Sequence, residues 1–288
     1  MKDLEEILAI ARSVGKEAAQ LLRSYYQDTS NHNLDVKYKE NEPVTAADLA
    51  VNRLILEKLQ TALGEEDFLY ISEETYKSQQ VKNKSSQWVW IIDPLDGTRD
   101  FIQKTGEYAI HIALVKETQP VLAVVAVPEA EKLYYATKGN GAFVETAQGV
   151  LPLQMSSQKK HIEDLTIVVS RSHRNKTLDF LLEQLPCKNY KAVGSVGCKI
   201  ATIVEQQADV YISISGKSAP KDWDLAAPEL ILTEAGGKFT HFDTTPLKYN
   251  TDDINQWGAL LASNGHFHQL LCQQGQTILS NLDFSANY

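Results

Sequence analysis

Trp88-Val-Trp-Ile-Ile-Asp93-Pro94-Leu95-Asp96-Gly97-Thr98 runs from five apolar residues straight into two carboxylates three positions apart. The apolar, β-branched and aromatic run reads as a buried strand, and Pro94 and Gly97 force a turn at its end. Side chains at strand ends sit at the rim of a sheet, where sites are commonly built. Two ionised carboxylates this close repel each other unless a cation neutralises them, and hard oxygen ligands suit Mg²⁺. A turn in which Asp merely caps the backbone accounts for one such residue but poorly for the whole string.

Outward from this strand, period-two patterns recur at 68–71, 108–115, 121–127 and 133–136, separated by Pro, Gly and polar turns. They predict an antiparallel sheet. Ser72-Glu73-Glu74 follows the 68–71 strand, so Glu73 sits beside Asp93 if the two strands are neighbours. Upstream, apolar residues at three- and four-residue spacings predict helices over 3–26 and 49–63, with a loop at 28–33 between them. Thr45-x-x-Asp48 resembles a capping box for the second helix, and Gly64 is its stop.

Beyond the polar stretch 156–160 the pattern alternates. Strands are expected at 166–169, 190–193, 209–214, 238–240 and 259–262, and helices at 177–185, 196–206, 225–235 and 266–282. The class is α+β, with an N-terminal antiparallel-sheet half over 1–157 and a C-terminal α/β half over 158–288. Asp222-Trp223-Asp224 precedes one of these helices, whose start favours negative charge.

With 288 residues, 43% of them hydrophobic, the chain can bury an ample core. Cys187, Cys198 and Cys272 have no CxxC spacing, so neither a disulfide framework nor a zinc cluster is expected, and a reducing cytoplasm is the natural compartment. The first residues are acidic where a signal peptide would be basic and then apolar, and no run approaches ~20 apolar residues. A soluble protein without a transmembrane segment is expected. The net charge of −9, with no basic block, argues against binding a nucleic-acid polymer. It leaves room for a small anion, because a bound cation or a few Lys can reverse the sign locally.

The Glu-Glu pair at 73–74, the Asp93-Pro-Leu-Asp-Gly-Thr98 string and the late Trp223-Asp224 occur together and in this order in the inositol monophosphatase superfamily, which the chain resembles over nearly its whole length. The resemblance implies a layered αβαβα sugar-phosphatase sandwich and a lithium-sensitive, Mg²⁺-dependent phosphatase, with most metal ligands in the first half. It makes Glu73, Asp93, the Leu95 carbonyl, Asp96 and Asp224 ligands of two or three Mg²⁺ ions. Gly97 and Thr98 would present backbone N–H groups to the phosphate, as helix starts do for anions. Glu73 and Thr98 would position an attacking water, with Asp48 orienting Thr98, while Asp93, Asp96 and Asp224 would hold the metal on the leaving-group side. Leu95, Asp96, Ser195 and Asp224 would also contact substrate. No covalent phosphoenzyme is implied.

Arg99-Asp-Phe-Ile102 followed by Gly106-Glu-Tyr108 resembles the bisphosphate-nucleotidase branch, which carries a basic-acidic-Phe triplet there. Inositol monophosphatases place an acid seven residues before the late metal-binding Asp, where it meets inositol hydroxyls; this chain has Lys217. A lysine suits a second phosphate, and Lys221 adds to its field. Gly194-Ser195-Val-Gly-Cys198-Lys199 opens a helix, with Lys199 at a basic position of that branch, although Gly197-Cys198 departs from the branch's usual Ser-Leu. The substrate implied is 3′-phosphoadenosine 5′-phosphate, cleaved to AMP and phosphate in sulfate assimilation. Inositol monophosphatase or fructose-1,6-bisphosphatase is the alternative within the class, and a non-catalytic phosphate-ligand-binding protein the alternative outside it. The partner is then a small phosphorylated metabolite, taken by a monomer or a homodimer.

Overall fold

In the computed structural model the described residues are 3–28, 36–39, 42–64, 67–76, 86–156, 161–172 and 174–285. In chain order the elements are α1 (Leu4–Gln27), β1 (Lys37–Lys39), β2 (Glu42–Val44), α2 (Ala46–Leu63), β3 (Leu69–Ser72), α3 (Glu73–Tyr76), β4 (Trp88–Asp96), α4 (Thr98–Ile102), β5 (Ala109–Lys116), β6 (Gln119–Val127), β7 (Lys132–Thr137), β8 (Ala142–Thr146) and β9 (Gly149–Leu153). The second half follows with β10 (Thr166–Ser170), α5 (Lys176–Gln184), β11 (Asn189–Val193), α6 (Val196–Val204), β12 (Val210–Ile214), α7 (Asp222–Glu234), β13 (Lys238–His241), β14 (Ala259–Ser263) and α8 (His268–Ser285).

Alternation along the strands assigns their two faces to different cores. In β4, Trp90 and Ile92 pack with Ile7, Val14, Ile55 and Leu59 of α1 and α2, whereas Val89 and Ile91 join Leu225 and Leu230 of α7. The second sheet repeats the division. Val168 and Tyr211 face the α7 side, while Ile167, Val169, Val210 and Ile212 pack with Leu178 and Leu181 of α5 and Leu271 of α8. The layers are therefore α1 and α2, a seven-stranded sheet, α6 and α7, a five-stranded sheet, and α5 and α8. This is the αβαβα sandwich the resemblance implies.

The middle layer explains its own composition. All nine residues of α6 are buried, as are ten of the thirteen in α7, because each helix has a sheet on both sides. By contrast α1 buries one stripe, Ile7, Ala11, Val14, Gly15, Ala18 and Leu22. The expected caps are present. Thr45 and Asp48 form a capping box on α2, and Gly64 ends it at φ 81°.

Several expectations need correction. The first sheet, in the order β3-β4-β5-β6-β7-β8-β9, is antiparallel except that β3 runs parallel to β4. The 73–87 connection is far longer than a hairpin turn, so nothing holds that pair antiparallel. Strands β8 and β9 go unpredicted because β9, at the sheet edge, is exposed over Gly149–Pro152 and shows no alternation. Helix α7 begins at Asp222 rather than 225, since the two acids flanking Trp223 in its first turn interrupt the apolar period. Most of the loop expected at 28–33 and of the dividing stretch at 156–160 lies outside the described residues. The second sheet, in the order β11-β10-β12-β14-β13, is parallel from β11 through β12 and antiparallel from there on. No described helix is long and apolar enough to cross a membrane.

Ile112 of β5 is fully buried in the core under α1 and α2. Ile112→Ala should lower unfolding stability by about 2–5 kcal/mol, read as a reduced midpoint in urea denaturation with an unchanged slope.

Candidate metal centre and phosphate cavity

Strand pairing brings the first two carboxylates together. In the parallel β3–β4 ladder Ser72 pairs with Ile92, so Glu73 and Asp93 follow on neighbouring chains as β3 ends. Strand β4 then continues through a register shift between Asp93 and Asp96, which returns Asp96 to the ladder opposite Ala109. Leu95 is buried within that irregularity. Gly97 takes the left-handed conformation, φ 91°, and starts the five-residue helix α4 at Thr98. A Cβ at Gly97 would lie 3.1 Å from both the Glu107 carbonyl and Ser195 Cβ, so the turn is packed against the second half of the chain.

A cavity of about 520 Å³ opens there, at the carboxyl ends of β4, β10, β11 and β12. Open sheets commonly bind ligands in such crevices. Glu73, Asp93, Leu95, Asp96, Gly97 and Thr98 line it from the first half, and Ser195, Lys199, Lys217 and Asp224 from the second. Lys217 is exposed on the rim. Lys199 is buried, with its ammonium donating to the Gly194 carbonyl and lying 5.4 Å from the Tyr211 ring centroid. Asp48 stands outside the lining, behind Thr98, whose Oγ1 is 3.3 Å from Asp48 Oδ1 and 3.2 Å from the Leu95 carbonyl. Asp224 lies inside the first turn of α7 rather than ahead of it, and its carboxylate accepts from the Lys221 backbone N–H at 2.6 Å.

Burial raises the carboxyl pKa of Glu73 and Asp93 well above the ordinary range, and the neighbouring acids raise both further. Asp224 is pushed up to about 6 by burial and then by Asp96. Asp48 also rises to about 6 through burial, opposed by its hydrogen bonds from Thr45. Acids enclosed in this way need protons or a cation beside them. Among the described residues no three His, Cys, Asp or Glu side chains are already gathered as a ready cation cage. The carboxylates are turned toward backbone donors instead: Asp93 to the Leu95 N–H at 3.0 Å, Asp96 to the Gly197 N–H at 3.1 Å, and Asp224 to Lys221. Hard anionic oxygens from three segments on one cavity wall nevertheless form a donor set that fits Mg²⁺.

Sequence reasoning missed His111, a lone polar residue in the apolar β5 pattern. It is fully buried, its Nδ1 lies 3.2 Å from the Trp223 carbonyl, and its Nε2 is 3.3 Å from Asp96 Oδ2. A carbonyl only accepts, so Nδ1 carries the proton, and burial lowers the imidazole pKa to about 4. Neutral His111 thereby holds the backbone of the residue before Asp224, while its unprotonated Nε2 faces Asp96 without a hydrogen bond. Arg99, from the basic-acidic-Phe triplet, also lines the cavity, as do Arg174, Asn175 and Tyr211, which no sequence motif announces.

The profile of the inositol monophosphatase family matches residues 3–280. The chain belongs to that family. Within it, the chain is 33% identical over 248 residues to the 3′(2′),5′-bisphosphate nucleotidase CysQ of Aggregatibacter actinomycetemcomitans, covering 86% of this chain and 87% of the relative. It is 31% identical to the protein of the same name from Salmonella typhimurium, over 85% of this chain and 93% of that one. Among solved structures, the CysQ of Bacteroides thetaiotaomicron superposes with a TM-score of 0.71 at 25% identity, over 91% and 98% of the two chains. An IMPase of Thermotoga maritima shares the fold with a TM-score of 0.76 at 20% identity, over 95% and 98%.

A carboxyl whose pKa is raised on folding favours the folded state below its unfolded pKa and loses that stability as pH rises through the folded value. For Asp224 the window runs from 3.8 to about 6. Metal-free protein should therefore melt at lower temperature as pH rises across that window, and Asp224→Asn should flatten the profile. At neutral pH, Mg²⁺ should raise the wild-type melting temperature, whereas Asp93→Asn should lose that gain; both are read by thermal melts in EDTA and in MgCl₂.

Proposed function

We propose that this chain is a Mg²⁺-dependent phosphomonoester hydrolase that acts as a 3′(2′),5′-bisphosphate nucleotidase, converting 3′-phosphoadenosine 5′-phosphate to AMP and phosphate. The observation that carries this reading is one cavity with a carboxylate wall, Glu73, Asp93, Asp96 and Asp224, and the basic side chains of Lys199 and Lys217. The nucleotidase name of its curated relatives supports the same substrate.

Glu73, Asp93, the Leu95 carbonyl, Asp96 and Asp224 would hold the Mg²⁺ ions, two or three in number. Bound Mg²⁺ supplies the positive charge that lets these acids ionise together and that polarises the phosphate and its attacking water. The chain's own residues do the rest. Gly97 and Thr98 turn backbone N–H groups to the phosphate at the start of α4. Thr98 Oγ1 orients the water, and Asp48, reached through that hydroxyl, is the proton acceptor behind it. With its pKa near 6, Asp48 is ionised and able to accept at neutral pH. Lys217 at the rim and Lys199 in the wall meet the second phosphate, where a polyol would need an acid.

Phosphate release should be greatest from 3′-phosphoadenosine 5′-phosphate when that ester is compared with inositol 1-phosphate and fructose 1,6-bisphosphate in the presence of Mg²⁺. A preference for either of the others would replace the nucleotidase reading. Lys217→Glu should raise KM for the bisphosphate by roughly tenfold or more, as expected for a lost charge-assisted contact, and leave KM for a monophosphate nearly unchanged. Asp96→Asn should abolish turnover in the same assay while circular dichroism stays unchanged.

A further inference from the structure

Glu107 lies in the turn between α4 and β5, outside the cavity lining, yet it grips the opposite half of the molecule twice. Its carboxylate Oε2 accepts the Gly194 N–H at 2.7 Å, and its backbone carbonyl accepts the Ser195 N–H at 3.1 Å. Arg171, just past the end of β10, donates to the same Oε2 and places Nε 3.2 Å from Asp100 Oδ1. Asp100 is nearly fully buried and also accepts from Thr105 Oγ1 at 2.9 Å, which fixes its orientation.

Gly194 joins these contacts to the cavity. A Cβ there would lie 2.4 Å from the Glu107 carbonyl and 2.8 Å from Asp100 Cγ, so only glycine allows this approach. Its N–H is held by Glu107 while its carbonyl receives the Lys199 ammonium. Ser195 and Lys199, two of the cavity residues of this segment, are thus both registered against Glu107 through backbone groups.

We propose that Glu107, braced by Arg171, is a specificity-determining positioning residue that acts through Gly194 to aim Lys199 and Ser195 at the second phosphate of the substrate. The assignment rests on the bisphosphate-nucleotidase reading and deepens it. An anion is required at this position because one carboxylate oxygen serves a guanidinium and a buried peptide N–H together, and a neutral amide loses the charge that makes both bonds strong. The proposed function assigns the attacked phosphate to α4 and the carboxylate wall, and neither Glu107 nor Arg171 lines the cavity.

The test compares Glu107→Gln with wild type on 3′-phosphoadenosine 5′-phosphate and on adenosine 3′-monophosphate, which lacks the second phosphate. KM for the bisphosphate should rise about tenfold, the size of one lost charge-assisted hydrogen bond, with kcat nearly unchanged and KM for the monophosphate unmoved. Arg171→Gln should shift the same parameter in the same direction by less, and it carries the test if Glu107→Gln does not fold. An equal KM rise on both substrates, or a fall in kcat alone, overturns the assignment. If wild type shows no preference for the bisphosphate, the nucleotidase reading fails and this inference with it. If wild type prefers the bisphosphate and both variants keep that preference, the inference alone fails.

Discussion

Helices α6 and α7 are packed between two sheets, and that double burial constrains everything the site requires of them. Little of either helix meets solvent, so most of their side chains are apolar, and charged residues among them such as Lys199, Asp222, Asp224 and Glu229 must each be matched by a partner, a proton or a ligand. Two of these four line the cavity. Asp222 is satisfied structurally, accepting from the Asn250 backbone N–H at 2.9 Å and from Gln256 Nε2 at 2.8 Å, and so anchors the start of α7. The same layer supplies the close approach of α6 to β5. A Cβ at Gly197 would lie 2.5 Å from His111 Nε2, which leaves Gly197 free to donate its N–H to Asp96.

The carboxylates are held by the backbone in orientations that serve the fold before any ligand arrives. Asp48 closes the capping box on α2, Asp224 accepts from the N–H that precedes α7, and Asp93 accepts from the peptide that makes the turn in β4. Each acid therefore has a local reason to be where it is, and their mutual repulsion is a property of the assembly. Burial and repulsion raise their pKa values together, so protons and metal ions compete for the same oxygens.

Much of this arrangement is legible in the sequence because short-range chemistry writes it. The strand running into Asp93-Pro-Leu-Asp-Gly-Thr98 specifies a turn with two acids, the Thr45–Asp48 spacing specifies a cap, and the switch from period two to alternating elements marks where one sheet gives way to the next. What pattern reading misses depends on long-range partners. Strand β9 is exposed at an edge and carries no alternation. The first turn of α7 carries two acids, so its helix reads as starting late. His111 and Glu107 acquire their significance only when the fold sets them against Asp96 and Gly194, the latter 87 residues away from Glu107. The parallel pairing of β3 with β4 is likewise a matter of tertiary packing, although it is what puts Glu73 beside Asp93.

The continuous core between the sheets bears on how substrate reaches the cavity. Residues from both halves, Val89 and Ile91 on one side and Val168 and Tyr211 on the other, meet in a single apolar cluster around α7. Separating the halves like a clamshell would expose that cluster to water, an outcome opposed by its whole hydrophobic stabilisation. That opening is therefore disfavoured, and the cavity is reached from the rim where Lys217 is exposed. The charge at that rim is then the first field an approaching ion meets.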